Sequence, residues 1–192
     1  MDLWERNSIG GLAMNLAREG YLPIVTGKAC AEILPAESIR VLIEPRKPIG
    51  TAETKMLLDG MADGHHLLIS AGPIGSANCR ELLGAAGLTV KPIPLGPVPI
   101  GPNLSLEEFQ KSRKDPQFSG AWAIQAEESP EVQVHYRAWG IPIVVTRKMN
   151  KGHLTLIADP EFLVDKTLEA ENDYWEGNLT LFRTILQQRR RE

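Results

Sequence analysis

Residues 39–70 read IRVLIEPRKPIGTAETKMLLDGMADGHHLLIS, and this stretch decides the fold predicted for the chain. It begins with the β-branched run 39–43 and ends with a second apolar run at 66–70. Short, continuous apolar runs of this kind are typical of strands buried in a parallel sheet. Between them, Thr51 can cap a helix over about 52–62. The pattern therefore predicts a strand–helix–strand unit with parallel strands.

The alternation continues on both sides of this unit. Upstream, Ile9, Leu12 and Leu16 recur at helical spacing, and downstream Asn78 and Glu81 have capping-box spacing ahead of another helix. Strands that alternate with helices favour a sheet covered on both faces. The sequence therefore predicts a doubly wound, mostly parallel α/β sheet.

A proline-rich segment interrupts this pattern at 92–104, where we expect a surface excursion without regular structure, followed by a short helix over 105–112. Beyond it the hydrophobic period changes to two, as in half-exposed strands. The runs 141–146 and 154–158 flank hairpin-type turn residues. We expect an antiparallel extension in the C-terminal half, within a single domain spanning 1–192.

Composition narrows the class of protein. The chain has 192 residues, 43% of them hydrophobic and 23% charged, which is enough for an ordinary globular core. The formal net charge of −3 provides no broad basic surface for a phosphate backbone, so we expect no nucleic acid partner. No apolar run approaches the roughly 20 residues that cross a bilayer, and the start lacks the features of a signal peptide. We expect a soluble chain, cytoplasmic or membrane-adjacent, with the compartment left open.

Several segments together resemble the DUF4350 group, which belongs to the class I glutamine-amidotransferase-like fold. These segments are Arg18-Glu19-Gly20-Tyr21, Val41 to Pro45, Asp63-Gly64 before Leu67 to Ser70, Gly152 to Pro160, and Glu176 to Leu179. The resemblance implies a flavodoxin-like doubly wound sheet of uncertain activity. It also implies a neighbourhood of membrane-associated or transport-related proteins, for which the basic run Arg189-Arg190-Arg191 would suit a membrane-adjacent boundary. Cations at a helix C-terminus explain the same run more simply.

The chain departs from the active amidotransferases of this superfamily at the nucleophile. Those enzymes place a cysteine on a strained turn directly after a strand, with a histidine and an acid in support. Here Glu44 and Ser70 stand at the two strand ends, so we expect the catalytic cysteine to be lost. Cys79, at the start of a predicted helix, is the alternative nucleophile, with His135 or His153 as its base. A small buried hydrophobe is the simpler interpretation of Cys79.

The remaining cysteine and histidines give no further site. Cys30 and Cys79 are too few for a disulfide framework, although one bridge between them stays possible in an oxidising compartment. The four histidines have no spacing suited to a metal, so we expect neither a metal nor a cofactor. The loop after Ser70 also lacks the lysine and glycine spacing of a phosphate-binding loop.

A concave site is expected where parallel strands end, because loops leaving their carboxyl ends flank a crevice. The candidate ligand-binding residues at these ends are Glu44, Arg46, Ser70, Gly72, Ser76, Asn78 and Asp159. Asp159 followed by Pro160 also has the arrangement of an N-cap with a first-turn proline, which explains the aspartate without a ligand.

Four aromatic residues of the second half are a further candidate surface: Trp122, Tyr136, Trp139 and Trp175. Core packing is the favoured interpretation, since large aromatics are mostly buried. If exposed, they would form a partner surface, and Trp122 or Trp139 exposed beside the crevice would favour a sugar-binding accessory domain.

The function these observations favour is a non-catalytic binding or scaffolding domain. Its partner would be a protein, a membrane-associated or transport-related assembly, or a small polar ligand. A cysteine-dependent hydrolase or amidase that uses Cys79 with His135 or His153 is the alternative. The oligomeric state is left open.

Overall fold

The computed structural model describes residues 8–25, 38–98, 114–170 and 173–188. Its helices are α1 (Gly10–Arg18), α2 (Thr51–Ala62), α3 (Pro73–Asn78), α4 (Arg80–Ala85) and α5 (Glu176–Gln188). Its strands are β1 (Ile39–Ile43), β2 (His66–Ser70), β3 (Leu88–Val98), β4 (Phe118–Ala126), β5 (Val132–Ala138), β6 (Ile141–Met149), β7 (Gly152–Ile157), β8 (Glu169–Ala170) and β9 (Asp173–Tyr174). No helix in these ranges is long and apolar enough to span a bilayer.

Five strands form a mixed sheet in the order β1-β2-β7-β6-β5. The first two pairs are parallel, with Val41 beside Leu68 and Leu68 beside Thr155. The β7–β6 and β6–β5 pairs are antiparallel, with Thr155 beside Thr146 and Val145 beside Val134. Strands β3 and β4 pair in a second sheet, and β8 and β9 in a third.

The predicted fold class is wrong. A doubly wound, mostly parallel, flavodoxin-like sheet would continue the parallel pairing of β1 and β2 across its width, whereas only two of the four pairs in this sheet are parallel. The individual strands at 39–43 and 66–70 are confirmed, as is the hairpin at 141–158. Strand β2 is buried at every position, as predicted, whereas β1 is only partly buried. The error lies in how the strands pair. Strand β7 lies between β2 and β6, and it is parallel to β2 but antiparallel to β6.

Contacts along the chain divide it into two compact units. The larger, here called the sheet unit, comprises 26–95 and 121–160. The smaller, here called the terminal unit, comprises 1–25, 96–120 and 161–192. The expectation of one domain over 1–192 stays a prediction.

One hydrophobic cluster stabilises the sheet unit. Leu67, Leu154 and Leu156 of the sheet are 1% exposed or less and pack in a cluster with Leu57 of α2 and Leu82 of α4. Because residues two apart in a strand share a face, these strand positions place one face of the sheet under the two helices. Burial of a leucine side chain stabilises a fold by about 1.5–3 kcal/mol, so this cluster holds the helices in place.

The proline-rich segment is more regular than predicted over its first part. Strand β3 continues through Pro92, Pro94 and Pro97 to Val98, so the expectation of no regular element is wrong there. Pro92 and Pro94 are two residues apart, so their missing amide hydrogens fall on the same edge of the strand and leave the other edge free to pair. Residues 99–104 lie outside the described ranges.

The terminal unit is organised by buried polar side chains that bind backbone. The Asp165 carboxylate accepts a hydrogen bond from the Gly11 amide at 2.8 Å, close to the start of α1. The Asn178 side chain donates to the carbonyl oxygens of Gln117, at 2.9 Å, and Thr167, at 2.6 Å. Each of these two residues therefore fixes segments that are far apart in sequence. The Phe118 and Phe162 rings stack with centroids 5.0 Å apart.

Three predicted caps are wrong, and several predictions fall outside the described residues. Thr51 is the first residue of α2, and Gly50 is the N-cap residue of that helix. Residues 160–167 form turns and bends rather than a helix, so Asp159 is not an N-cap. Asn78 ends α3 instead of capping the next helix, and Cys79 is the N-cap residue of α4. Cys30, the predicted helix over 105–112 and the basic run Arg189-Arg190-Arg191 lie outside the described residues.

Candidate functional site

Strands β1, β2 and β7 run in the same direction, so their carboxyl ends lie at one edge of the sheet. The residues that follow them there are Glu44, Ala71-Gly72 and Ala158-Asp159. The Glu44 amide donates to the Ser70 carbonyl at 2.8 Å, and the Ala71 amide donates to the Ile157 carbonyl at 3.0 Å. This edge of the sheet unit is where the crevice was predicted.

The Glu44 carboxylate occupies the start of α3. Its Oε2 accepts the Gly72 amide at 2.7 Å, and its Oε1 accepts the Gly75 amide at 3.0 Å. Free amides at the start of a helix are the groups that bind a phosphate or a carboxylate ligand. Here the chain's own carboxylate binds them, so the Gly72 and Gly75 amides already have a hydrogen-bond acceptor.

Glu44 holds this position in an uncommon backbone conformation. Its φ is 37°, in the left-handed region that costs free energy for residues other than glycine. Gly75 makes the close approach possible, since a Cβ at that position would lie 2.5 Å from Glu44 Oε2. The conformation of Glu44 and the glycine at 75 are therefore parts of one contact.

Three more candidate residues donate their hydrogen bonds within the chain. The Ser70 hydroxyl donates to the Asp159 carbonyl at 2.5 Å, and the Ser76 hydroxyl donates to the Pro73 carbonyl at 3.1 Å. The Asn78 side chain donates to the Pro45 carbonyl at 2.7 Å. Ser70 and Asp159 are 0% exposed, so no ligand reaches their side chains in this conformation.

Arg46 is the exception among the seven candidates, because its side chain is exposed. The structure thus brings Glu44, Gly72, Ser70 and Asp159 to one edge of the sheet, where the Glu44 carboxylate binds the Gly72 amide and the Ser70 hydroxyl binds the Asp159 carbonyl. Whether any of the seven binds a ligand stays a prediction.

The Cys79 thiol is buried and protonated at neutral pH. It is 1% exposed, and the pKa of its thiol is raised from 9.0 to about 11. Burial is the larger cause, and the negative charge of Glu44 is the second. A helix N-terminus ordinarily lowers a thiol pKa, but loss of hydration outweighs that effect here.

His135 is engaged by a chain of side chains that crosses the sheet. Its Nε2 lies 2.8 Å from Thr146 Oγ1, which lies 2.6 Å from Thr155 Oγ1. His66 Nε2 completes the chain at 2.8 Å from Thr155 Oγ1. These three links need three hydrogens, and the two hydroxyls supply two, so at least one imidazole donates from Nε2. Both hydroxyls and both imidazoles are thereby engaged within the sheet.

Acid is expected to destabilise the protein through His135. Burial lowers the pKa of its imidazole from 6.5 to about 4. Between these two values the unfolded chain takes up a proton that the folded chain does not, so stability is lost as the pH falls from 6.5 to 4. The loss is at most about 1.4 kcal/mol per pH unit, and less for a ring that is only partly buried. Urea unfolding at several pH values measures this slope.

His135→Gln serves as the control for this pH dependence, because glutamine does not titrate. The variant should show a shallower slope than the wild type between pH 6.5 and 4. An unchanged slope in His135→Gln would assign the acid sensitivity to another group.

The four aromatic residues have different environments. Trp122 is partly buried and packs against the hydrophobic cluster, Tyr136 is partly buried, and the Trp175 indole donates to the Lys166 carbonyl at 3.1 Å. Trp139 is 70% exposed. The core-packing prediction therefore does not hold for Trp139. A sequence signal was present, since Trp139-Gly140 is a two-residue connection between apolar runs, as in a hairpin.

An open cleft of about 320 Å³ lies beside α3, α4 and β3. Its apolar lining includes Leu83, Leu88 and Val90, each 8% exposed or less, and the exposed Arg80 contributes a cation. These three leucine and valine side chains are almost fully covered, so they offer a ligand little surface.

Comparison with solved structures shows the fold. The mmIFT52 N-terminal domain matches with a TM-score of 0.57 and 16% identity, covering 79% of this chain and 76% of that chain. An exo-beta-1,4-mannosidase, Op5Man5 from Opitutaceae bacterium strain TAV5, matches with a TM-score of 0.49 and 18% identity, covering 80% of this chain and 26% of that chain.

No family model and no curated protein sequence matches the chain. The resemblance to the DUF4350 group and the inference of an amidotransferase-like, flavodoxin-like fold are both wrong, because the sheet is mixed and the mmIFT52 N-terminal domain is a solved structure that shares the fold. The mixed sheet and the likeness to the mmIFT52 N-terminal domain replace them. The segments that suggested the group are short, and turns such as Asp63-Gly64 recur wherever a helix precedes a strand.

Proposed function

We propose that the chain is a non-catalytic binding or scaffolding domain of a protein assembly. The observation that supports this most strongly is the Glu44 carboxylate bound to the Gly72 and Gly75 amides. A site that binds an anion or stabilises a developing negative charge needs such amides free. Because the chain's own carboxylate binds these amides, they are better suited to stabilising the fold than to binding an anion or a transition state. The fold shared with the mmIFT52 N-terminal domain is compatible with this role.

A small polar ligand loses support on the same grounds, since Glu44, Ser70, Gly72, Ser76 and Asn78 already make hydrogen bonds within the chain. The membrane-associated or transport-related assembly was implied by the DUF4350 resemblance alone, so it loses its support with that resemblance. A protein partner remains the favoured class.

The cysteine-dependent hydrolase is disfavoured by the state of Cys79. A thiol with a pKa of about 11 has about a hundredfold smaller thiolate fraction at neutral pH than one at 9.0. Since the thiolate is the nucleophile, Cys79 is poorly suited to attack a carbonyl.

Alkylation of Cys79 tests the proposal of a non-catalytic domain, because a nucleophilic cysteine would react in the folded protein. In a Cys30→Ser variant, where Cys79 is the one remaining thiol, iodoacetamide at pH 7 should react at least a hundredfold more slowly with the folded protein than with the protein in urea. Mass spectrometry follows the reaction. Native alkylation as fast as that in urea would contradict the proposal.

Hydrolysis of p-nitrophenyl acetate and of L-glutamine γ-p-nitroanilide provides the matched activity measurement. Wild type and Cys79→Ala should give the same rates. A wild-type rate that exceeds that of Cys79→Ala would restore the hydrolase.

A further inference from the structure

The turn between β5 and β6 holds a tryptophan in a left-handed conformation. Ala138 pairs with Ile141, so Trp139 and Gly140 form a two-residue loop. Their φ angles are 53° and 79°, the pattern of a type I′ turn. Asn-Gly is the favoured sequence for this turn, and a bulky residue with positive φ is a genuine outlier. Trp139 therefore occupies a position for which it is conformationally unsuited.

The same tryptophan projects into solvent. Its side chain is 70% exposed, and a Cβ built at Gly140 would have no atom within 4 Å. In the part of the chain that the structure describes, the indole has neither a ring contact nor a hydrogen-bond partner. The tip of the hairpin is thus convex and open. Strain and exposure therefore coincide at one residue, without a compensating ring contact or hydrogen bond from the described residues.

A cation lies at the same tip. Arg137 is exposed, and its guanidinium donates to the Gly140 carbonyl at 2.9 Å, which holds the charge against the turn. Tryptophan and arginine are the residue types most enriched at the energetic centres of protein interfaces. A convex indole beside a fixed cation is complementary to an apolar pocket bordered by carboxylates.

We propose that this hairpin tip, formed by Arg137, Trp139 and Gly140, docks a protein partner through an apolar pocket with an acidic border. The proposal rests on the proposed function and names the partner's chemistry. A glycan fits less well, because small-ligand sites are concave and this tip is convex.

The stability of Trp139→Asn tests whether the left-handed conformation of Trp139 costs the fold stability. Asparagine suits the first position of a type I′ turn, so the variant should unfold about 2–4 °C above the wild type. Circular dichroism measures the melting temperature. A lower melting temperature would show that the indole stabilises its own fold, and that would overturn the inference.

Site-specific photo-crosslinking tests whether the hairpin tip contacts a protein partner. Benzoylphenylalanine replaces Trp139 in the full chain expressed in its native cells, and a matched variant carries it at Ile74, which is 75% exposed on α3. We expect a protein cross-link from position 139 and none from position 74. The cross-linked partner is then purified and titrated with wild type, Trp139→Asn and Arg137→Glu. Trp139→Asn should weaken binding at least 30-fold and Arg137→Glu about tenfold, the latter in a salt-dependent manner.

The outcomes separate this inference from the proposed function. A partner that cross-links at position 74 alone, or that binds Trp139→Asn as tightly as wild type, overturns the docking site and leaves the binding role standing. Binding to an immobilised polysaccharide that Trp139→Asn abolishes overturns the protein partner in favour of a glycan. No cross-link from either position overturns both.

Discussion

Gly152→Ala is expected to lower the free energy of unfolding by about 3 kcal/mol or more. Gly152 is the first residue of β7, and a Cβ there would overlap the His65 carbonyl oxygen and lie 2.5 Å from that of Met61. Both atoms belong to the backbone, so neither can rotate away as a side chain would. To make room, the end of α2 and the start of β2 would have to move. Urea unfolding should show a lower midpoint with an unchanged slope.

Gly84→Ala is the matched control for this prediction. Gly84 lies in α4 of the same unit, and a Cβ there would have no atom within 4 Å. Alanine is the better helix former by about 0.8–1 kcal/mol, so this variant should be slightly more stable than wild type. The same chemical change is therefore expected to act in opposite directions at the two positions. A Gly152→Ala protein as stable as wild type would contradict the close approach of β7 to the helix end.

Individual strands and turns could be predicted because the residues that determine them are adjacent in the sequence. The run 39–43 is apolar at four of five positions, as is typical of strands, and it forms β1 at those residues. The turn residues at 149–152 sit between two apolar runs, and they form the β6–β7 hairpin. Sheet order depends instead on pairing between distant segments. His66 pairs with His153, and nothing in either segment alone states that they meet.

The candidate site shows the same limit. The rule that parallel strands end at one edge predicted that Glu44 and Gly72 would lie close together, and they are in contact. It does not state whether the carboxylate faces outward to a ligand or inward to the amides. That choice depends on Gly75, whose missing side chain leaves room for the carboxylate. For Cys79, the predicted helix start was nearly right, but burial sets its pKa, and burial is a property of the whole unit.

The exposure of Trp139 could not be predicted from its residue type. Large aromatics are mostly buried, which favoured core packing. The two-residue turn between β5 and β6 places this side chain at a hairpin tip, where the sheet cannot cover it. Turn position, rather than residue type, therefore decides its exposure.

Glu44→Ala is expected to destabilise the protein by about 2–4 kcal/mol. The substitution leaves the Gly72 and Gly75 amides without their carboxylate partner. Alanine would also have to adopt the φ of 37° that this turn requires. Glu53→Ala is the control, because its carboxylate also accepts an amide at a helix start, from Gly50 at 3.1 Å, but on an exposed surface. There water can replace the lost acceptor, and the expected cost is below about 1 kcal/mol.

The comparison of these two variants by urea unfolding bears directly on function. If Glu44→Ala costs no more than Glu53→Ala, water serves the Gly72 and Gly75 amides as readily as the carboxylate does. The start of α3 would then be open to anions, and a ligand-binding or catalytic site at this edge would regain support. A cost several times larger means that the carboxylate is a fixed part of the fold. In that case the Gly72 and Gly75 amides are not available to an anionic ligand, which favours recognition on another surface of the molecule.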